Sequence, residues 1–377
     1  MLRIIKIGMD VHSKTYTLCA LEPKIGEEDR LLATTEIPAD YKYILAFILD
    51  LQRKLGLDND YDIVCGYEAG CLGYSLYKQL VSSKIKCEIL APTTMLTPQG
   101  NRVKTDARDA RMIAQCLGHG GYRSVYIPDD EDAAVKEYIR MRDDHKADLT
   151  RLKQRIGSYC LHNGHYYEGT KWTLKHLRWL RTVDLPSLLR ETLDEYMASY
   201  DTLISKIDRL DARIAELASI AKYQEKVKKL TCFLGIKTHS ALSLTVETGD
   251  FTRFAKGNTY GSYLGLAPGE NSSGEKVHRT SISKAGNSHL RRLLIEAAHG
   301  ICKGKVGQKS KALQARQKGN SADVIAYADM ANARMRAKYY RMIRHGKKHN
   351  VAVAAIAREL ACYVWGMMTD NIALKVS

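Results

Sequence analysis

The sequence lacks any pair of closely spaced cysteines. Nine cysteines stand singly along the chain, and no two of them form a C-x-x-C pattern. Structural zinc sites are commonly built from such pairs, so the sequence offers no zinc framework. Scattered single thiols fit a reducing compartment, where cysteines stay buried and unpaired. We therefore expect a cytoplasmic protein.

The sequence also lacks a hydrolase motif and a membrane-spanning run. No G-x-S-x-G pattern surrounds Ser272 or Ser273, which argues against a hydrolase of the nucleophile-elbow type. No signal peptide heads the chain, and its most apolar stretch, residues 351–368, is interrupted by Arg358 and Glu359. A membrane helix needs about 20 predominantly apolar residues. This stretch therefore predicts a packed terminal helix, and we expect no membrane association.

Acidic residues are scarce in the last third of the chain. The 377 residues carry a formal net charge of +16, and the sequence pI is near 9.3. Residues 251–377 hold 22 Lys and Arg against seven Asp and Glu, so almost all of the excess lies there. Segregated positive charge indicates a polyanionic partner, because cations that neutralise phosphates release condensed counterions. We interpret this charge as a nucleic-acid-binding feature.

Apolar strand patterns and helical patterns alternate in the first third. The predicted strands are residues 3–10, 15–21, 30–37, 61–67 and 87–90, and the predicted helices are residues 41–55, 74–81 and 105–117. The order is three strands, helix, strand, helix, strand, helix. That order is the one expected of a ribonuclease H-like fold. Residues 1–125 are thus predicted to form an α/β domain of this kind.

Four acidic residues stand where these elements begin or end. Asp10 ends the first strand, Glu68 ends the fourth, and Asp106 and Asp109 share one face of a helix. If the first and fourth strands are neighbours, the four carboxylates converge at one edge. Clustered carboxylates raise one another's pKa unless a divalent cation neutralises them. Oxygen ligands suit Mg²⁺ or Mn²⁺, and a two-metal site stabilises attacking and leaving phosphate oxygens. Taken singly, each acid could be a solvated or capping residue.

The middle of the chain is predicted to be helical and highly charged. Residues 129–167 and 188–230 carry Leu and Ile at spacings of three or four, which favours an antiparallel helical hairpin or coiled coil. We assign residues 126–228 to this arm. Residues 230–254 resemble a helix-hairpin-helix element, in which Lys237 replaces the usual second glycine.

Residues 264–300 combine a loop broken by glycine and proline with a basic helix. Ser272 and Ser273 adjoin in that loop. A serine hydroxyl is a weak nucleophile that needs a base, a metal or an aligned electrophile, and the alternative for this stretch is a polar turn. The surrounding cations suit an anionic substrate such as a phosphodiester: they are Lys276, Arg279, Lys284, Arg291 and Arg292.

A basic tail rich in tyrosine follows Gly304. Tyr327, Tyr339 and Tyr340 stand among arginines and lysines in a helical pattern. Aromatic rings among cations suit unpaired bases, and packing in a helical core is the equal alternative for each ring. Residues 229–377 are predicted to form a mainly helical domain.

Short motifs in both halves of the chain resemble one family. GMDVHSK around Asp10, YEAG with Glu68, and KTDARDA with Asp106 and Asp109 are similar to the RuvC-like amino domain of the DEDD-type transposases of bacterial insertion sequences. LGLAPGENSSGEK and ISKAGNSHLRRLLIEAA are similar to the carboxy-terminal transposase domain of that family. The family is related to the pilin-gene invertase Piv and includes bridge-RNA-guided recombinases. The resemblance spans nearly the whole chain and is weakest beyond about residue 304.

The resemblance implies a covalent recombination chemistry. A serine would attack a DNA phosphodiester to leave a phosphoserine link and a free 3′ hydroxyl, while the RuvC-like carboxylates hold magnesium beside it. Spacing does not choose the serine, although Ser273, which abuts Gly274, is favoured over Ser272. Lys104 and Arg108, inside the KTDARDA motif, are added to the candidate nucleic-acid contacts.

The resemblance also implies partners. These are donor and target DNA and a noncoding bridge RNA that pairs with both, in the bacterial cytoplasm at the nucleoid. Because rejoining two duplexes needs several nucleophiles, we expect a homodimer or homotetramer.

Three alternatives stay open. A tyrosine recombinase would use His289 and Arg292, spaced H-x-x-R, with Tyr339 or Tyr340, but it leaves the amino-terminal acids without a role. A RuvC-like nuclease would hydrolyse DNA with its metals and form no covalent intermediate. A nucleic-acid-binding protein with an inactive site is the third, and the intact acids argue against it.

Overall fold

The computed structural model describes residues 3–56, 61–70, 72–95, 105–270 and 279–372. The chain divides into two compact units, Met1–Ile127 and Pro128–Ser377. A further division of the second unit near residue 228 stays a prediction.

The first unit is a mixed α/β structure. Its described strands and helices are β1 Arg3–Val11, β2 Thr15–Glu22, β3 Arg30–Pro38, α1 Tyr41–Leu55, β4 Tyr61–Glu68, α2 Ser75–Ser82, β5 Lys86–Leu90 and α3 Asp106–His119. The sheet order is β3-β2-β1-β4-β5. β1 and β3 each pair antiparallel to β2, whereas β1, β4 and β5 run parallel. The predicted order of elements is confirmed, and β1 and β4 are neighbours.

Residue alternation decides which helix covers which face of this sheet. On β1, Ile5, Ile7 and Met9 are fully buried and belong to the core that also contains residues of α1 and α2. Side chains on a strand alternate between faces, so Gly8 and Asp10 point to the other face. α3 packs there, and its Ala110 is fully buried.

The second unit is mainly helical. Its described elements are α4 Asp130–His162, α5 Leu174–Thr182, α6 Ser187–Ala218, α7 Ala221–Leu230, α8 Thr238–Thr248, α9 Gly257–Tyr263, β6 Pro268–Glu270, β7 Arg279–Ile282, α10 Ser288–Ile301, α11 Lys311–Gln317, α12 Ala322–Arg344 and α13 His349–Met368. β6 and β7 pair as an antiparallel hairpin. The carboxy-terminal part was predicted to be mainly helical, and it is.

α4 and α6 run antiparallel. The Arg142 guanidinium lies 2.6 Å from an Asp211 carboxylate oxygen near one end, and the Tyr159 hydroxyl donates to the Leu189 carbonyl at 2.7 Å near the other. Between these points buried apolar residues of both helices form one core cluster. The pair is thus a helical hairpin, while the coiled-coil assignment stays a prediction.

The prediction of one helix over residues 188–230 is wrong. α6 ends at Ala218, and α7 begins after Ile220, whose backbone is extended. The break turns α7 toward the start of α4, where the Tyr223 hydroxyl donates to Asp132 at 2.7 Å and Lys222 pairs with Asp129. The charged helix predicted to reach residue 167 also ends earlier, at His162.

α13 is a core helix of the second unit. By length and composition it could cross a membrane, but half of its most apolar stretch is buried inside the unit. α9, α10 and α12 pack against it, and Ile356, Leu360 and Val364 are fully buried. Residues 351–368 therefore form the packed helix that their interrupted apolar pattern predicts.

Candidate active site

Asp10 and Glu68 lie at the same edge of the sheet because they end neighbouring parallel strands. Met9 pairs with Tyr67 in the register of β1 and β4, so the residues that follow them occupy equivalent positions. The side chain of Tyr67 belongs to the core on the α1 and α2 face, and alternation sends Glu68 to the opposite face. Both carboxylates are thus directed to the face that α3 covers.

α3 brings further carboxylates to this edge. Thr105 caps the helix by accepting a hydrogen bond from the Arg108 backbone N–H. Asp106 is the first helical residue, and Asp109 follows in the same turn. Gly8 permits the close approach of α3, since a Cβ built there would lie 2.1 Å from the Ala110 carbonyl oxygen. The first turn of α3 therefore lies beside the end of β1.

Three side chains meet where these elements converge. His12 Nε2 lies 3.3 Å from Asp10 Oδ2 and 3.9 Å from Asp106 Oδ2. One donor atom from each of the three lies within 4.8 Å of the others. Burial raises the pKa of Asp10 above its usual range, and although His12 lowers it, the charges of Asp106 and Asp109 raise it further. The protein thus holds acidic groups in mutual repulsion at a partly buried position.

This donor set fits a divalent cation. Atoms bound to one ion at roughly 2.1–2.5 Å lie within about 5 Å of one another, as the Asp10, His12 and Asp106 donors do. A cation would relieve the repulsion that raises the Asp10 pKa. Carboxylate oxygens suit Mg²⁺ and Mn²⁺, whereas an imidazole nitrogen is a softer donor that Mg²⁺ seldom takes. The geometry therefore accommodates a metal without identifying it.

The four predicted acids differ in how closely the structure gathers them. Asp10 and Asp106 belong to the cluster with His12. Asp109 is half-buried and acts electrostatically on Asp10. Glu68 is exposed at the same edge but is outside the cluster of three. His12 was missed at the sequence level, although it stands two residues beyond Asp10 in GMDVHSK.

The predicted nucleophiles belong to a segment between two short strands of the second unit. Ser272, Ser273 and Lys276 lie outside the described residues, as does Lys104. The hairpin strands that flank the serine segment, β6 and β7, are described. β6 ends at Glu270 and β7 begins at Arg279, on either side of the serines in the sequence.

The base of this hairpin is tightly built. The Arg291 side chain donates from Nη1 to the Leu264 and Ala285 carbonyls, both at 3.0 Å. Gly265 has a φ of +67°, and a Cβ there would lie 2.1 Å from the Ala285 oxygen. Gly286 has a φ of +72°, and a Cβ there would also overlap the facing backbone. Arg291 therefore joins the two ends of the segment that contains the serines.

The structure gives the other predicted cations different surroundings. Arg292 is paired with Asp143 at 2.7 Å and with Glu296 at 3.1 Å. Lys284 and Arg108 are exposed. Arg279 begins β7, and its backbone position is all that is described. Arg292 is also exposed despite these two pairs, so among the described members of the set Lys284, Arg108 and Arg292 reach solvent.

A second cluster of charged side chains is buried in the second unit. Asp143 of α4 lies 2.7 Å from His289 Nε2. Glu247 of α8, only 1% exposed, lies 2.6 Å from His289 Nδ1 and 2.8 Å from Arg140. Burial alone lowers the pKa of His289, but its contacts with the two carboxylates overcome this and raise the pKa to about 9. Burial raises the pKa of Glu247, yet His289 and Arg140 hold it at about 2.

This cluster reaches the start of α10. Asn287 caps α10 by accepting from the Leu290 backbone N–H, and its amide donates to Glu247 at 2.8 Å. Since α10 follows the serine hairpin directly, the buried ions and Arg291 together fix its first turns.

The tail tyrosines are held by hydrogen bonds or packing. The Tyr340 hydroxyl donates to the Gly304 carbonyl at 2.7 Å, and the Tyr339 hydroxyl lies 2.9 Å from His349 Nδ1. Tyr327 is buried in the core of the second unit. For Tyr327 the packing alternative is therefore the better interpretation.

Comparison with known proteins assigns the chain to a class. Residues 227–314 match the model of the transposase IS116/IS110/IS902 family, and residues 7–162 match the DEDD transposase model of IS110 elements. The transposase for insertion sequence element IS1533 of Leptospira borgpetersenii is 32% identical over 92% of this chain and 99% of its own. The transposase for element IS1111A of Coxiella burnetii is 25% identical over 86% of each chain.

The chain belongs to the IS116/IS110/IS902 family of insertion-sequence transposases. It is thus an enzyme of the class that cuts and rejoins DNA during transposition. Residues 7–162 contain the carboxylate cluster, and residues 227–314 contain the flanks of the serine segment.

Proposed function

We propose that this transposase cuts and rejoins DNA through a covalent serine intermediate assisted by a divalent cation. Ser273, or its neighbour Ser272, is the nucleophile, and Mg²⁺ or Mn²⁺ is held by the acids at the sheet edge. The single observation that carries the proposal is the convergence of Asp10, His12 and Asp106 within 4.8 Å.

The amino-terminal domain is proposed to be RNase H-like. Its support is the β3-β2-β1-β4-β5 order, with an antiparallel meander joined to parallel strands and helices on both faces. We further propose three functional segments, residues 1–125 for metal binding, 126–228 for the helical arm and 229–377 for the serine and the basic tail.

The chemistry divides between the chain's own groups. The serine Oγ loses its proton and forms a bond to phosphorus as the bond to the 3′ oxygen breaks, and that oxygen leaves as a hydroxyl by gaining one proton, so protons balance. The energy of the phosphodiester is retained in the phosphoserine, so a second 3′ hydroxyl can reverse the step. A divalent cation bound there would neutralise charge at the phosphate. Asp10, His12 and Asp106 would hold it, with Glu68 and Asp109 completing the acidic set.

A noncoding bridge RNA is proposed to select the donor and target DNA. The support is the positive charge of residues 251–377, which suits nucleic-acid backbones. Because strand exchange acts on two duplexes, we further propose that the protein forms a dimer or tetramer. We propose that it acts at the bacterial nucleoid.

The tyrosine alternative loses support from the contacts of its proposed residues. His289 and Arg292 are both paired with the buried Asp143 carboxylate. The nuclease alternative shares the metal site and differs only in the absence of a protein–DNA bond.

Substitutions at the two kinds of nucleophile test the proposal. In a strand-exchange assay with DNA, the flanking RNA and Mg²⁺, Ser273→Ala with Ser272→Ala should abolish exchange, while Tyr339→Phe with Tyr340→Phe should retain it. Loss of exchange only in the tyrosine variant would reject the serine assignment. If the serine variant still cleaves DNA but does not rejoin it, the reaction is plain hydrolysis.

A further inference from the structure

The sequence from the middle of α12 through the following turn to the middle of α13 lacks acidic residues. Residues 331–358 contain eight Lys and Arg and no Asp or Glu. One of the eight, Arg336, is buried and donates to the Ile301 and Lys305 carbonyls, so its role is internal. The remaining cations need another explanation.

Four of these cations share one side of α12. Arg334, Lys338, Arg341 and Arg344 follow one another at spacings of three or four and line one open groove. From the first to the last the helix rises about 15 Å. The groove is thus a cationic strip long enough to follow several phosphates of a nucleic acid.

Neutralisation by the protein is incomplete. Glu359 of α13 accepts from Arg334 at 3.0 Å and from Lys338 at 2.5 Å, so one carboxylate faces two cations. Among the described residues, Arg341 and Arg344 have no carboxylate partner, and both are exposed. The strip therefore keeps a net positive charge.

Helix stability does not account for all of this charge. Arg341 and Arg344 lie in the last turn of α12, where the helix dipole favours cations. Lys347 and Lys348, however, come directly before α13, and Lys348 stands at its N-cap without a side-chain capping bond. Positive charge at a helix N-terminus is unfavourable, and Ser, Thr, Asp or Asn is preferred at that position. The turn thus concentrates cations at a cost to folding.

We propose that the basic strip Arg334, Lys338, Arg341 and Arg344, with the turn at Lys347 and Lys348, binds the phosphodiester backbone of nucleic acid. Exposed guanidinium groups suit phosphate because they donate two parallel hydrogen bonds to it. The inference concerns binding alone and does not depend on which side chain is the nucleophile. DNA and RNA present the same phosphodiester chemistry, so the test includes both.

The test is the salt dependence of binding by the full-length protein. The variant Arg341→Gln with Arg344→Gln removes two cations of α12 that have no carboxylate partner in the described part of the chain. Binding to a duplex DNA of arbitrary sequence and to an RNA hairpin is measured between 50 and 200 mM salt. Loss of two phosphate contacts should reduce the slope of log K against log[salt] by about two for duplex DNA. The ratio of the wild-type to the variant binding constant should therefore fall roughly tenfold between 50 and 200 mM salt.

Two matched variants control for charge and folding. Lys175→Gln with Arg178→Gln removes two exposed cations at the same spacing on α5 and should leave the slope unchanged. Arg341→Lys with Arg344→Lys keeps the charge and should retain most of the slope, and melting temperatures verify that all variants fold. A reduced slope with only DNA or only RNA identifies the ligand of the strip. An unchanged slope with both, or an equal reduction in the α5 variant, would overturn the proposal.

Discussion

Gly8 of β1 lies against the backbone of Ala110 in α3, so closely that a Cβ at Gly8 would come within 2.1 Å of the Ala110 carbonyl oxygen. This contact sets the distance between the strand that ends with Asp10 and the helix that begins with Asp106. A backbone contact outside the cluster therefore determines whether its carboxylates meet.

Gly8→Ala should separate the two elements and impair cleavage. Overpacking of this kind costs about 1–3 kcal/mol or more, and α3 must shift because the obstacle is backbone. Denaturant unfolding measures the first effect, and a DNA-cleavage assay measures the second. Gly157→Ala is the control, since a Cβ at that position in α4 meets nothing within 4 Å, and it should leave the protein unchanged or slightly more stable. Wild-type behaviour of Gly8→Ala in both assays would contradict this role.

His12→Ala should change the metal requirement more than it changes DNA binding. Its Nε2 lies 3.3 Å from Asp10 Oδ2, and an imidazole suits Mn²⁺ better than Mg²⁺. We expect the half-maximal Mn²⁺ concentration for cleavage to rise at least about tenfold, with a smaller rise for Mg²⁺. His119→Ala removes a histidine that pairs instead with Asp29 and serves as the control. Equal metal titrations for His12→Ala and wild type would remove His12 from the site.

Arg291→Gln should slow cleavage while the salt dependence of DNA binding stays unchanged. The sequence predicts a phosphate contact at this position, but the guanidinium donates to the Leu264 and Ala285 carbonyls at the hairpin base. A loose hairpin misplaces the serine, and small displacements of reacting groups can cost about a hundredfold in rate. Lys284→Gln, at an exposed cation of the same segment, should reduce the salt dependence of DNA binding and leave the cleavage rate unchanged. If Arg291→Gln loses DNA affinity and reduces the salt slope by about one, Arg291 contacts phosphate after all.

The buried His289 should make stability depend on pH above neutrality. Its pKa rises from an ordinary 6.5 to about 9 in the folded protein, so its contribution is complete below about pH 6.5 and is lost as the pH rises through 9. After discounting for partial solvent access, the loss is on the order of 2 kcal/mol. The carboxylates around it are Asp143 and Glu247, and Arg140, Arg142, Arg292 and His239 contact those carboxylates.

Unfolding free energies measured from pH 6 to 10 for wild type and His289→Gln test this dependence. The variant should be less stable near pH 6.5, and the two curves should converge above pH 9. A constant difference across the range would show that folding does not raise the pKa of His289.

Local pattern was sufficient to predict the first unit. Periodicity locates its helices because they are amphipathic, and apolar runs locate its central strands because these are buried on both faces. The acids that end β1 and β4 then lie at the same edge of the sheet because these strands are neighbours. His12 was not predicted because its proximity to Asp106 depends on the close packing of α3 against Gly8.

The second unit was harder to predict because its features depend on distant contacts. The break at Ile220 follows from the hydrogen bond that joins α7 to α4 through Tyr223 and Asp132. The hydrophobic periodicity of the sequence does not reveal this contact. The basic surroundings of Arg291 in the sequence predict a phosphate contact. Its hydrogen bonds to the Leu264 and Ala285 carbonyls show instead that it holds the base of the hairpin.

The most direct test of covalent serine recombination is mass spectrometry of the protein trapped on a nicked or suicide DNA substrate with its flanking RNA and Mg²⁺. We expect a nucleotide adduct on the peptide of residues 271–276, and its position distinguishes Ser272 from Ser273. An adduct on Tyr339 or Tyr340, or cleavage without any adduct, would contradict it.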